Sequence, residues 1–388
     1  MMTQTVALFV DAYRELNAKK LFWITMLLSG LVVAIYAMIG INEEGITFLW
    51  FTLDFLPGNI NSEQIPPEIL YKGLFMNLGI GIWLTWIATI LALISTAGII
   101  PDMIAGGSIE MLLSKPISRT RLFLTKYTTG LLFAGLQVAA FTTASFLVIG
   151  IRGGVWEPGL FLAIPLVVCF FSYLYAVCAL IGVLTRSTIA ALLITLLFWC
   201  GLFIINMGDA ILLSFKVQFE VQRDGYTVGI DRAREGATKI ITARREKEGD
   251  PVPEGFIATD EEMQAVMPWM ASTIEYRDET IETIGKLEPW VKGVYAAKTL
   301  VPKTGETIAL LERSLISMAD LKAITEVDSD GTTIDEESGR VDLDDNEIQL
   351  RTQEAFRERS VWWVLGTSLA FEFLVLGGAV FVFARRDN

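Results

Sequence analysis

The chain has 388 residues, 53% of them hydrophobic and 19% charged, with a mean hydropathy of +0.50. Soluble domains carry more charge and less apolar content, so composition excludes an ordinary soluble protein and indicates a polytopic membrane protein. Histidine is absent, which removes the commonest general base and the commonest metal ligand together.

The net charge of −13 is not spread evenly. Leu213–Glu358 holds 18 basic and 31 acidic residues, so that one segment carries all of it. An acidic, water-soluble insertion of this kind has no electrostatic attraction for nucleic acid or anionic lipid. Cys169, Cys178 and Cys200 all fall in apolar runs with no CxxC spacing, and read as small apolar residues of membrane helices.

In chain order, residues 1–20 come first. Val6, Phe9, Val10, Tyr13 and Leu16 recur at helical spacing while Asp11, Arg14, Glu15 and Lys19 fill most of the other face. This pattern predicts an amphipathic helix lying in the membrane interface. Six apolar runs then follow, near Leu21–Ile41, Leu74–Ile100, Tyr127–Ile151, Leu160–Leu184, Thr188–Leu212 and Val361–Ala384. Each is long enough to cross about 30 Å of hydrocarbon, and in lipid such runs form helices because every backbone group must be paired internally. The first starts too far into the chain, and lacks the small-residue site, to be a cleaved signal peptide.

Basic residues near the span ends give the orientation. Lys19 and Lys20, then Lys115, Arg119, Arg121 and Lys126, then Arg186, then Arg385 and Arg386 all fall on one side when six spans alternate. Both termini are therefore expected in the cytoplasm and 213–358 outside. Trp23, Trp156, Trp362 and Trp363 stand near predicted span ends, as interfacial anchors do.

Between the second and third spans, Pro101 is expected to close one helix and Gly106-Gly107 to break the chain. Ser108 then caps a short helix that Pro116 ends. The run Gly107-Ser108-Ile109-Glu110, Leu113-Ser114-Lys115-Pro116-Ile117-Ser118-Arg119 and Lys126 resembles the signature of ABC-2 type transporter permeases, with Ser108 in place of the usual Thr. The amphipathic start, the six spans and the place of the loop are similar to that family as well. The resemblance implies that loop 101–122 is a coupling element, with Ile104, Gly107, Ser108, Glu110, Leu113, Pro116, Ser118 and Arg119 facing a separate ATP-binding cassette ATPase. It implies a second permease copy, homo- or heterodimeric, and ATP and Mg on the partner ATPase rather than a cofactor in this chain. The chain has no G-x-x-x-x-G-K-[ST] phosphate loop of its own. Leu300–Gly305 is also similar to a segment found in some such permeases before the last span.

Glu372 is the only acidic residue deep in a predicted span. An ionisable group there marks a functional position by default, and burial favours its protonated form. A structural carboxyl hydrogen-bonded to a neighbouring helix is the other reading. Gly377-Gly378 beside it permits close helix approach, at a dimer seam or inside one subunit. Asp209 is expected at the interface.

In the insertion, Lys216–Arg223 and Tyr226–Ile230 alternate around Asp224-Gly225, which predicts a β-hairpin. Asp260–Ile284 and Gly305–Ile324 read as helical, giving an α+β domain. Glu326–Gly331 with Glu337 echoes a calcium loop, but Glu in its first position and Ser338-Gly339 behind it favour a solvated acidic turn. The expected fold is thus an all-α membrane protein of six transmembrane helices with an N-terminal interfacial helix and an inserted extracytoplasmic α+β domain. Its segments are 1–20, 21–212, 213–358 and 359–388. The expected function is the permease subunit of an ATP-driven exporter in a bacterial-type plasma membrane, with no catalytic or metal site of its own. The alternative is a membrane-anchored sensor or envelope-assembly protein whose outer domain binds a ligand or partner.

Overall fold

The computed structural model describes residues 20–49, 51–52, 62, 66–105, 118–325, 333–334 and 340–385. Six helices are long and apolar enough to span a membrane, and each overlaps one predicted run. The expected interfacial helix 1–20 lies, but for Lys20, outside the described residues.

The first span is α1 (Lys20–Met38). It ends three residues earlier than expected because Ile39–Asn42 (β1) pairs antiparallel with Gly45–Phe48 (β2), which in turn pairs with Phe51–Thr52 (β3). The second span opens at α2 (Pro67–Leu74), where proline at the first position loses no hydrogen bond. It widens into a π-helix over Phe75–Ala88 and narrows again in α3 (Thr89–Thr96). The hydroxyls of Thr85 and Thr89 donate to carbonyls five residues back, Ile80 O and Leu84 O, each at 2.7 Å, as the wider turn requires.

Pro101 does not end this span. It stands third in α4 (Ile99–Ala105), where the missing N–H costs nothing, and the break falls earlier, at Ala97-Gly98. The third span is α5 (Arg119–Arg152), whose N-cap Ser118 accepts from the Arg121 amide. A 3₁₀ turn, Pro158–Leu162, leads into α6 (Ala163–Thr185), the most enclosed of the spans. Arg186, in the left-handed conformation at φ 55°, stops α6, and α7 (Thr188–Glu248) follows.

The expected hairpin at Lys216–Ile230 is instead helix throughout, in α7. Alternation and helical spacing coexist in this stretch, and packing selects the second. Leu213, Val217 and Val221, four residues apart, are buried beside Leu343, Ile348 and Phe356. Ile230, Ala233 and Ala237 continue the stripe beside Ala258, Met263 and Met270. The helices that follow are α8 (Asp260–Val266), α9 (Met270–Thr299), α10 (Thr304–Leu315) and α11 (Met318–Thr325). Thr259 opens α8 with a capping box closed by Glu262. A two-stranded pair, Thr333–Ile334 (β4) with Val341–Asp342 (β5), precedes α12 (Asp345–Arg357), and the sixth span is α13 (Val361–Arg385).

The chain divides into two compact units. One comprises Met1–Asn206, Lys298–Ser317 and Ser360–Asn388, and the other Met207–Ala297 and Met318–Arg359. In the first, α6 packs against α5, α13, α10 and α4. The segment Lys298–Ser317, inside the acidic insertion by sequence, belongs with the spanning helices: Leu311 and Leu315 of α10 join the apolar cluster of Tyr71, Phe75 and Leu160.

A single-cysteine labelling scan over 213–237, in a background without the native cysteines, should show protection at 213, 217, 221, 226, 230, 233 and 237. Protection at every second position would restore the hairpin and overturn the helix.

Candidate functional site

Three polar constellations of the first unit bear on the residues that the sequence singles out. The first flanks the loop between the second and third spans, for which the sequence predicts a coupling role. Of the eight residues the sequence assigns there, Ile104, Ser118 and Arg119 are described, whereas Gly107, Ser108, Glu110, Leu113 and Pro116 lie outside the described residues. The entry to the loop is firmly held. Ile99, Ile100 and Met103 of α4 are buried in the main apolar cluster, with Ile104 packed against it. Asp102 Oδ1 accepts from Thr188 Oγ1 at 3.1 Å, which ties α4 to the start of α7. Pro101 lies on Gly182 of α6 so closely that a Cβ at Gly182 would stand 2.9 Å from Pro101 Cγ. The exit is the capped start of α5 at Ser118.

The second constellation surrounds Glu372, midway along α13 and only 8% exposed. Its Oε1 accepts from Tyr127 Oη of α5 at 2.9 Å, and its Oε2 from Ser172 Oγ of α6 at 2.7 Å. Tyr127 Oη is also 3.1 Å from the Ser172 carbonyl, and Ser172 Oγ is 2.8 Å from that of Cys169. Tyr127 stacks on Tyr175 at 5.1 Å between centroids, and Tyr175 on Phe171 at 5.5 Å. Among the described residues no Lys or Arg pairs with Glu372; its partners are two hydroxyls. The carboxyl that the sequence singles out is therefore the joint of three spans, met by polar groups on both oxygens.

Of the third constellation, sequence reasoning singled out the segment Leu300–Gly305 but none of its polar contacts. It lies in and beside the turn between α9 and α10. Lys298 and Glu306, both buried, form an ion pair. Lys303 is fully buried. Its amide donates to Ser368 Oγ at 2.9 Å, and its Nζ donates to Thr367 Oγ1, Val301 O at 3.0 Å and Thr299 O at 3.3 Å. The ammonium also lies 4.7 Å from the centre of the Trp363 ring, a cation–π distance. It thus meets the C-terminal carbonyls of α9, where a positive charge is favoured. Asn206 Nδ2 donates to Thr304 Oγ1 at 3.0 Å and Trp363 Nε1 to Thr299 Oγ1 at 3.1 Å. Burial pushes the Lys303 amine down to about 8, with Lys298 adding to the effect and Glu306 opposing it. The available signal was a buried-looking Ile308-Ala309-Leu310-Leu311 run inside an acidic insertion, preceded by two lysines.

Elsewhere, Asp209, which the sequence places at the membrane interface, has a partner that the sequence does not name. In the second unit it is buried and receives both terminal nitrogens of Arg359, at 2.7 and 3.0 Å. Gly377 and Gly378 have no atom within 4 Å of where a Cβ would sit, so among the described residues no helix uses them for close approach. The calcium-like turn at 326–331 and Glu337 lies outside the described residues. No family model, curated protein or solved structure matches this chain.

Two outcomes follow from these contacts. Glu372→Ala, which strips both hydroxyls of their shared acceptor, should cost about 1–3 kcal/mol of stability, whereas Glu372→Gln should cost less than about 1 kcal/mol. Thermal unfolding in detergent reads the difference, and a loss for Glu372→Ala no larger than about 0.5 kcal/mol would show that these hydrogen bonds contribute nothing to stability. For Lys303 the folded state disfavours the charged amine relative to its ordinary 10.5. That penalty is fully present below about 8 and is relieved as the pH rises from about 8 towards 10.5. Wild type should therefore gain stability relative to Lys303→Met between pH 7.5 and 9.5; parallel pH profiles would refute this assignment.

Proposed function

We propose that this chain is the membrane subunit of an ATP-driven exporter of the ABC-2 type, in a bacterial-type plasma membrane with both termini cytoplasmic. The observation that carries the reading is the docking of α4. A loop that transmits force from a separate ATPase must be rigidly joined to the spans it moves. Here its entry is buried in the bundle, hydrogen-bonded to the start of the fifth span and pressed against a glycine of the fourth. The six-span arrangement and the motif Gly107–Arg119 support the same reading. In it, Ile104, Gly107, Ser108, Glu110, Leu113, Pro116, Ser118 and Arg119 form the face presented to the ATPase, a second permease copy completes the pathway, and ATP and Mg stay on the partner.

Glu372 has a positioning role in this scheme: it locks α13 to α5 and α6 so that the three spans move as one body. No covalent step is required of the chain, because transport by alternating rigid-body states needs binding energy and motion rather than a nucleophile. The second unit, with two apolar clusters of its own, supports the other reading, a sensor or envelope-assembly protein whose outer domain takes a ligand or partner.

Affinity purification of the detergent-solubilised chain separates the two. Wild type should bring down an ATPase bearing a phosphate loop, and Glu110→Ala/Arg119→Ala should lose about tenfold or more of it, the loss of charged contacts at an interface costing 2–5 kcal/mol. Recovery of no ATPase, even after mild crosslinking, would reject the exporter reading and direct attention to the outer domain.

A further inference from the structure

A fourth polar site lies at the other end of the first unit from α4, where the first span leaves, the second enters and the third leaves. Here β1 and β2 fold over Pro67, Tyr71 and Arg152 to enclose a cup of about 390 Å³, lined also by Gly40, Asn42, Glu44 and Thr47. Arg152, the last residue of α5, is held in a set orientation. Its Nε donates to Tyr71 Oη at 3.1 Å, and Tyr71 Oη in turn donates to Ile39 O at 2.6 Å. Gly40 leaves the room this needs, since a Cβ there would stand 2.9 Å from Arg152 Nη2 and 2.7 Å from Thr47 Oγ1.

The charges around the cup are unevenly matched. Lys72 is paired with Glu68 at 2.6 Å and Glu157 at 3.2 Å. Arg152 has no carboxylate partner among the described residues, and Glu44 no basic one; although both line the cup, they do not pair with each other. An oriented guanidinium whose terminal nitrogens meet no carboxylate among the described residues suits a phosphate oxygen pair. A carboxylate across the same cup repels a plain anion and attracts an ammonium. The cup therefore presents complementary charges to one zwitterion carrying both groups.

Its level in the protein narrows the choice. Arg152 closes the third span, and Ile151 and Trp156 beside it are exposed, as residues at a headgroup boundary are. Quaternary ammonium groups are taken by aromatic cages, whereas among the described residues the one aromatic ring lining this cup is Tyr71, already hydrogen-bonded. A primary ammonium, which donates to a carboxylate, is the matching cation. We propose that the cup binds the headgroup of an ethanolamine phospholipid, with the phosphodiester on Arg152 and the ammonium on Glu44.

The test is native mass spectrometry of the full chain released from nanodiscs of equal phosphatidylethanolamine, phosphatidylglycerol and phosphatidylcholine. Wild type should retain the ethanolamine lipid about tenfold over the glycerol lipid, and Arg152→Gln should lose about tenfold of that retention, the scale of one charge-assisted contact. Glu44→Gln should bring the glycerol lipid level with the ethanolamine lipid, a change of preference that misfolding does not produce. Equal retention of all three lipids by wild type, or unchanged preference in both variants, overturns the proposal. Adding glycerophosphoethanolamine without acyl chains separates the sources. No displacement at concentrations equal to the lipid supports the bilayer headgroup, and full displacement overturns that assignment in favour of a soluble zwitterion.

Discussion

A carboxyl group inside an apolar bundle has to find its hydrogen bonds within the bundle, and at Glu372 that need joins three helices from distant parts of the chain. Tyr127 and Ser172 stand 245 and 200 residues away in sequence, yet each reaches one oxygen of the same carboxyl. Because lipid offers no competing donor, the bundle has few alternative ways to satisfy the group. The stacked rings of Tyr127, Tyr175 and Phe171 add apolar contact beside the polar one. The sixth span, which returns after a long excursion through the acidic insertion, is thereby set in one register against α5 and α6.

The same rule explains why part of the insertion lies with the spanning helices. Lys298 and Glu306 neutralise one another, and Lys303 meets carbonyls, a hydroxyl and an indole face, so that Lys298–Ser317 can be buried without an orphaned cation. Its apolar side, Leu311 and Leu315, then completes the cluster around Phe75 and Leu160. On the side of α4, Pro101 against Gly182 and Asp102 against Thr188 tie that short helix to α6 and to the start of α7.

Much of the fold was legible because hydrocarbon imposes a length and a composition that no other environment demands. All six spans were found, and the largest differences are at their ends, where local pairing decides: β1 shortens the first, and α7 runs past the fifth. The hairpin at Lys216–Ile230 was misread for a definite reason. Val217 and Val221 satisfy a period of two and a period of four together, and only the side chains opposite, Leu343, Ile348 and Phe356, choose between them. Pro101 was read as a terminator although a proline in the first turn is harmless, and the residue that marks the true break is Gly98.

Of the candidate site, Glu372 was visible in the sequence as a charge where charge is expensive, but its partners were not. Tyrosines and serines occur in every span, and nothing in their spacing reveals which one faces a carboxyl two helices away. Asp209 is the counterpart: its position at a span end was legible, but its burial with Arg359, 150 residues on, was not. The sequence by itself therefore determined that this chain carries six helices able to cross a membrane and where its net charge lies, because both depend on local composition. Which distant polar groups meet was left to the tertiary structure, because Glu372 and Lys303 are answered by residues that only packing brings within hydrogen-bond reach.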